Sequence, residues 1–503
     1  MTEPLIYDLG RAGRVGVHMP EPDVPLTPIP AELVRVELDL PEVDQLTAVR
    51  HFTRLSKLNY SIDQGMYPLG SCTMKYNPRL NEDTARLPGF WSSHPLQDPE
   101  LAQGNLALMF QVQEWLKEIG GFEAVSLQPA AGAQGEFTGV LMIRAYHRAR
   151  GEAQRTKMLI PNSAHGTNPA TCSMAGLGVI ELPSDARGNI DLAALRQVVA
   201  EQGSQIAGLM ITNPNTLGLF EEHIGAVVEA VHGCGGLVYG DGANMNAMVG
   251  IARPGDLGFD VLHYNLHKTV STPHGGGGPG SGPVGVSDKL VEFLPGPLVA
   301  VVDQGSADEA PADEAPADEA PLYGYVMPAQ SIGRLKAFNG NFGMHVRAYT
   351  YIRVHGASGL RGNSENAVLN ANYLLSKVRG HYHVPYDRLC KHEFVVEGVW
   401  PDAPGVHALD ISKRLMDFGY HPPTNYFPLI VHEALMIEPT ETENKETLDA
   451  FAEALITIAA EAHSQPELLQ EAPHNAPVSR LDEVWAAKQL VLCCRPAWLP
   501  EPA

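Results

Sequence analysis

The sequence predicts an α/β protein, with a large domain built on a mostly parallel sheet and a smaller α+β C-terminal domain. Three observations predict it. Between residues 157 and 264, short apolar runs alternate with amphipathic helical stretches, as in a parallel sheet with helices on both faces. After about residue 340 the pattern changes to two helices followed by mixed strands and helices. Asp241 and Lys268 both fall near ends of expected strands, where such sheets bind ligands.

Residues 1–90 are rich in Pro and turn formers and are expected as an N-terminal arm with short helices, such as 41–58. The large domain is expected over 91–340. It opens with a helix over 101–119, where the apolar spacing is helical. Its strands are expected at 157–161, 177–182, 206–212, 237–240 and 261–264, each a short apolar run. Helices at 135–150, 191–201 and 224–232 lie among them. The small domain is expected over 341–503, with helices at 344–354 and 365–378, a strand at 392–397 and a helix at 407–418. Strands at 427–431 and 434–437 and a helix at 444–460 complete it.

Composition excludes several classes. A net charge of −23 argues against non-specific nucleic-acid binding. No apolar run is long enough to span a bilayer, and the first residues, Met1-Thr-Glu-Pro4, have no leader character, so a cytoplasmic protein is expected. The cysteines, Cys72, Cys172, Cys234, Cys390, Cys493 and Cys494, form no Cys-x-x-Cys pair, so neither a metal site nor a disulfide framework is expected. Residues 307–321 repeat Ala-Asp-Glu-Ala-Pro three times. Regular prolines and like charges predict a solvated loop, a tolerated insertion rather than a recognition tag.

The chemistry centres on Lys268. A mostly apolar run, Phe259 to Tyr264, precedes it and a glycine-rich loop follows. That arrangement suits a lysine bonded to pyridoxal 5'-phosphate (PLP) at a strand end. Upstream, Gly236-Leu-Val-Tyr-Gly-Asp241 reads as a strand ending in an acid, which can pair with the ring nitrogen of PLP. Pro129-Ala-Ala-Gly-Ala-Gln-Gly-Glu136 leads into a helix. Its small residues, centred on Gly132, Ala133 and Gln134, can cradle a phosphate, or simply start a helix. His165, in Ser163-Ala-His-Gly-Thr-Asn-Pro169, can stack on the cofactor ring or be an ordinary loop residue. Asn213 and Thr216, in a loop at another strand end, can reach the cofactor or substrate, or form a plain turn. Leu69-Gly-Ser-Cys-Thr-Met-Lys-Tyr-Asn-Pro78 is a polar loop whose Ser71, Cys72, Thr73, Lys75 and Asn77 can line a pocket or cap the domain. The stretches 339–343 and 421–428 are weaker candidates of the same kind.

Together these motifs closely resemble the glycine decarboxylase P-protein family, specifically its separate β subunit. The matching pieces are 70–78, Ala131-Gly-Ala-Gln-Gly-Glu136, 163–170, Tyr239-Gly-Asp-Gly-Ala-Asn-Met-Asn-Ala247, Asn265-Leu-His-Lys-Thr269, 422–428 and 434–442. They span nearly the whole chain; the acidic repeat departs from the family pattern. The resemblance implies the fold type I of PLP-dependent transferases, which is aspartate-aminotransferase-like. It implies PLP on Lys268 and adds Ala243 and His267 to the cofactor-binding set. It also implies glycine decarboxylation, with CO2 released and the aminomethyl group passed to the lipoyl arm of the H-protein of the glycine cleavage system. The expected partner is the P-protein α subunit, in an α2β2 heterotetramer. Catalytic roles fall to Lys268, Asp241 and His165. Two alternatives stand beside it. Another fold-type-I PLP enzyme, such as an aminotransferase or a cysteine desulfurase, would keep most of the PLP motifs, although no cysteine sits in an obvious lid. A non-catalytic subunit would have no need of Asp241 and Lys268.

Overall fold

Ile206-Ala-Gly-Leu-Met-Ile-Thr212 is buried along nearly its whole length, as a strand covered on both faces must be. It lies inside a seven-stranded sheet in the computed structural model, which describes residues 3–35, 40–274, 280–302, 321–337 and 339–490. The acidic repeat apart from Pro321, Cys493, Cys494 and most of the glycine run after Lys268 lie outside the described residues.

The strands are β1 (Ala124–Ser126), β2 (Lys157–Pro161), β3 (Gly178–Leu182), β4 (Ile206–Thr212), β5 (Leu237–Gly242), β6 (Val261–Tyr264) and β7 (Val284–Val286). Their order is β1-β7-β6-β5-β4-β2-β3. Strands β2 to β6 pair in parallel, and β7 runs antiparallel to both β6 and β1. Successive strand residues feed opposite faces. Leu159, Leu209, Val238 and Leu262 enter one apolar core, while Met158, Met210, Tyr239 and Val261 enter the other. Register places Thr212 beside Asp241, and Asp241 beside His263, along one edge of the sheet.

Helix ends follow local chemistry. Gln103–Gly120 buries Leu106, Met109, Val112, Leu116 and Gly120, a helical stripe, and stops at Gly121 in the left-handed region, φ 70°. Asp191 caps Leu192–Gln202 by accepting from the amides of Ala193 and Ala194. Asn444 caps Lys445–Ser464 through the amide of Thr447.

The C-terminal part carries an antiparallel sheet. After a hairpin of β8 (Leu298–Val301) and β9 (Tyr323–Val326), strands β10 (Phe394–Glu397), β11 (Thr424–Asn425) and β12 (Ala434–Ile437) pair in the order β10-β12-β11. Helices Ala408–Asp417 and Lys445–Ser464 supply Ile411, Leu415, Phe451 and Leu455 to the same core as Phe394 and Ile437. Two expectations are corrected here. Residues 427–431 form no strand: Pro428 has no amide to donate, and the pairing with β12 falls earlier, on Thr424 and Asn425. The helices expected at 344–354 and 365–378 run together as Phe342–Val378, broken only at Gly356, whose φ of 60° lies outside helical space. No helix among the described residues is long and apolar enough to cross a membrane.

Candidate active site

Four elements converge on Lys268. It lies in the one-turn helix Leu266–Thr269 directly after β6, and it is 9% exposed. Its Nζ donates to the carbonyl of Ser71, at 2.7 Å. Ser71 is a hub. Its Oγ meets His165 Nε2, and its amide donates to Glu393 Oε2 at 2.7 Å. It makes these contacts from the left-handed region, φ 64°, uncommon for a residue with a Cβ and a sign that its surroundings dictate its conformation. The loop that carries it is held at a distance in sequence: Leu69 bridges to Ile437, and the amide of Gly70 donates to the carbonyl of Met436 at 3.3 Å.

Asp241, on β5, is buried and well supplied with partners. Oδ1 accepts from the amide of Ala243 at 3.0 Å, and Oδ2 accepts from Asn168 Nδ2 at 3.3 Å. His263 Nε2 stands 3.6 Å from Oδ1, and its Nδ1 meets the Tyr239 hydroxyl at 2.5 Å. Burial pushes the Asp241 carboxyl up, but His263, His165 and the two hydrogen bonds outweigh it and keep it below its ordinary value. Burial in turn holds both imidazoles below the usual histidine range. Near neutral pH the hydrogen bonds therefore remain as the chief support of the carboxylate. Asn168 also donates to Glu136 Oε1 at 3.1 Å. Burial and then Asp241 push Glu136 up to about 7, so two acids share one amide and only one need be charged.

His165 stacks on Phe427, with centroids 4.6 Å apart and planes at 22°. One face of the imidazole is thus covered. Helix Gly132–Ala149 starts without a side-chain cap, which leaves first-turn amides for a ligand or solvent. A Cβ on Gly132 would lie 2.5 Å from Asn265 Oδ1, an oxygen that is buried and has no hydrogen-bond partner. Thr272 Oγ1, His274 Nε2 and Ser281 Oγ are likewise buried and unpartnered. An uncapped helix start, a glycine that must stay bare, unsatisfied polar atoms and a lysine just after β6 with an acid on neighbouring β5 fit an anionic, aromatic cofactor such as PLP.

The other sequence candidates separate into two sets. Cys72 and Thr73 stay with the cluster: burial keeps the Cys72 thiol above its ordinary value although Lys268 pulls the other way, and Thr73 donates to Glu438 Oε1 at 2.6 Å. His267 packs edge-on against His274, and its Nδ1 accepts from the amide of Ser281; burial and then His274 push it down to about 3. Gln134 turns back on the preceding loop, accepting from the amide of Ala130 at 2.7 Å, while Ala133 lies in the open first turn. Lys75 is committed elsewhere, to Glu441 (2.7 Å), the Thr269 carbonyl (2.7 Å) and Asn246. Asn77 accepts from Ser271 Oγ at 3.3 Å. Asn213 accepts from the amide of Glu221, and Thr216 donates to the carbonyl of Ser163, so both brace the loop beside His165. Sequence reasoning did not single out Glu136, Asn168, His263, Glu393 or Glu438. The available signal was an acid directly following an apolar strand, as in Leu435-Met-Ile-Glu438.

Comparison with known proteins bears on this geometry. The family model for the glycine cleavage system P-protein matches residues 28–311, and that for the glycine dehydrogenase C-terminal domain matches residues 363–477. A probable glycine dehydrogenase (decarboxylating) subunit 2 from Chloroherpeton thalassium is 54% identical over 495 residues, covering 97% of each chain. Its name, subunit 2, implies a further subunit. Among solved structures, an inhibitor-bound glycine decarboxylase (P-protein) of the glycine cleavage system superposes with a TM-score of 0.69 at 21% identity, covering 86% of this chain and 93% of that one. Glutamate decarboxylase of Lactobacillus brevis gives a TM-score of 0.63 at 14% identity, covering 86% and 96%. These likenesses place the fold in type I of the PLP-dependent enzymes. The chain belongs to the glycine cleavage system P-protein family, as its subunit 2.

Proposed function

We propose that this chain is the PLP-binding subunit of a glycine decarboxylase. It releases CO2 from glycine and passes the aminomethyl group to the lipoyl arm of an H-protein. It does so with a P-protein α subunit, in an α2β2 assembly, in the cytoplasm. One observation carries the reading: Asp241 lies on β5 and Lys268 just past the end of the neighbouring β6, and Ser71 ties Lys268 to His165.

Bound PLP would supply the electron sink for the pair of electrons left when CO2 departs. The remaining work belongs to the chain. Lys268 is the amine that would hold the cofactor, and once displaced it can carry a proton to or from the reacting carbon. The amides of residues 132–134 would take the phosphate. Asp241, kept anionic by Ala243 and Asn168, would hold a proton on the ring nitrogen. His165, backed by Phe427, would close one face of the ring, with Ala243 and His267 beside it. Burial of the cluster excludes water, which would otherwise quench a carbanion. The desulfurase alternative is disfavoured because Cys72, the cysteine beside Lys268, is kept protonated, the opposite of what a nucleophile needs.

Two measurements test the reading. Borohydride treatment of the PLP-loaded chain, followed by peptide mass spectrometry, should place a pyridoxyl adduct on Lys268. CO2 release from carboxyl-labelled glycine should then require both the α subunit and lipoylated H-protein. An adduct on another lysine, or transamination without H-protein, would count against it.

A further inference from the structure

Glu393 and Glu438 face each other beneath the Ser71 loop, and the mechanism above uses neither. Register explains the pairing. Phe394 is opposite Ile437 in the antiparallel pair of β10 and β12, so Glu393, just before β10, falls opposite Glu438, just after β12. Like charges at a cross-strand position repel, and both carboxyls are buried, with exposures of 4% and 0%. Their surroundings differ. Glu438 accepts from Thr73 Oγ1 (2.6 Å), Asn246 Nδ2 (3.0 Å) and Asn244 Nδ2 (3.0 Å), a ring of donors that suits an anion. Glu393 accepts from the amide of Ser71 and has His392 Nε2 at 3.5 Å.

The charged and titratable groups around the pair are few. Lys268 faces it from the helix after β6, Cys72 from the loop, and His392 from the segment just before β10. Glu441 lies beyond and is matched by Lys75. His392 is buried with neither ring nitrogen hydrogen-bonded, and burial keeps it below the usual histidine range, so it brings no countercharge. Lys268 is then the one nearby cation among the described residues for two carboxyls.

We propose that Glu393 and Glu438 hold a single proton between them, and that this bridged pair positions Ser71 and, through it, Lys268 and His165. Its link to catalysis rests on the reading of Lys268 given above. Burial, followed by the facing Glu438, holds the Glu393 carboxyl well above its ordinary value, in keeping with a retained proton. Glu393 is thus a positioning residue. Removal of the shared proton sets two carboxylates against each other under the loop and releases the hold on Ser71.

The test uses the full chain without cofactor, glycine or partner, so it can fail while the decarboxylase reading stands. Infrared difference spectra between wild type and Glu393→Gln should show, near neutral pH, a protonated-carboxyl band present only in wild type. That band should fade on going alkaline. Hydrogen exchange of residues 69–73 should accelerate, relative to the core strand Ile206–Thr212, as pH rises from the ordinary carboxyl range toward the pH at which the band fades. The opening equilibrium should rise about tenfold per pH unit, the slope of one linked proton, and level off once the band is gone. Glu393→Gln can still accept from the Ser71 amide and donate to Glu438. It should keep protection and lose this pH dependence, whereas Glu393→Ala should lose protection throughout. An absent band, or a one-proton pH dependence that survives in Glu393→Gln, overturns the proposal. So does protection that depends on a chelatable cation, because a cation between the groups would leave both ionised.

Discussion

Replacing Lys75 with Met isolates what that lysine does. Its ammonium is buried, as is its partner Glu441, with side-chain exposures of 2% and 5%. It donates to Glu441 Oε1 and to the carbonyl of Thr269, both at 2.7 Å, and lies 5.4 Å from the centre of the Tyr351 ring. Burial opposes the ammonium, but Glu441 and Tyr351 more than compensate and keep Lys75 above the ordinary lysine range. Met keeps the apolar stem and removes the charge, which strands Glu441, whose Oε2 already has no hydrogen-bond partner. Removing one member of a buried pair costs about 3–5 kcal/mol, whereas replacing both with apolar groups is often close to neutral. The expectation is therefore a loss of about 3–5 kcal/mol for Lys75→Met, a similar loss for Glu441→Leu, and a double variant far less damaged than their sum. Urea unfolding of the four proteins, followed at the first transition because a chain of this size need not unfold in two states, reads these values. Thr269 adjoins Lys268, so Lys75→Met should also take up less PLP. A cost below about 1 kcal/mol, or strictly additive losses, would refute the claim that Lys75 is a buried structural cation rather than a pocket residue.

Three further outcomes follow from the same structure. On the proposed reading, Asp241→Asn should lower turnover far more than PLP content, because it removes the charge assigned to the ring nitrogen and leaves the helix start and Lys268 intact; equal losses in the two would contradict the assignment. Gly132→Val should weaken PLP uptake, measured by absorbance titration, since even a Cβ there meets Asn265 Oδ1 at 2.5 Å. Glu136, raised from an ordinary 4.5 to about 7, keeps in the native state a proton that the unfolded chain releases between those pH values. Stability should therefore fall as pH rises across that window, by an amount on the order of 3 kcal/mol at most, and Glu136→Gln should flatten the slope.

Much of the large sheet was legible because β2, β4 and β6 are short, mostly apolar runs. Strands β1 and β7 were not, since three residues of strand leave no periodicity to read. The candidate site was legible where its residues lie at strand ends, at Asp241 and Lys268, or in loops adjoining them, at His165. It was illegible where contacts cross the chain. Nothing local to Ser71 announces a left-handed hub bonded to Lys268 and Glu393, hundreds of positions away. Lys75 sat in the right loop, but its direction depends on Glu441. The strand expected at 427–431 failed because apolar Phe427 and Ile430 outweighed, in the reading, the missing amide of Pro428; Phe427 turns out to back His165 instead.

The most direct test is glycine-dependent exchange of labelled bicarbonate into the glycine carboxyl group, with lipoylated H-protein present. It is run with and without the α subunit, beside Lys268→Ala. The account predicts exchange that requires the α subunit and vanishes in Lys268→Ala. No exchange by an assembled, PLP-loaded α–β complex, or exchange that survives in Lys268→Ala, would contradict it.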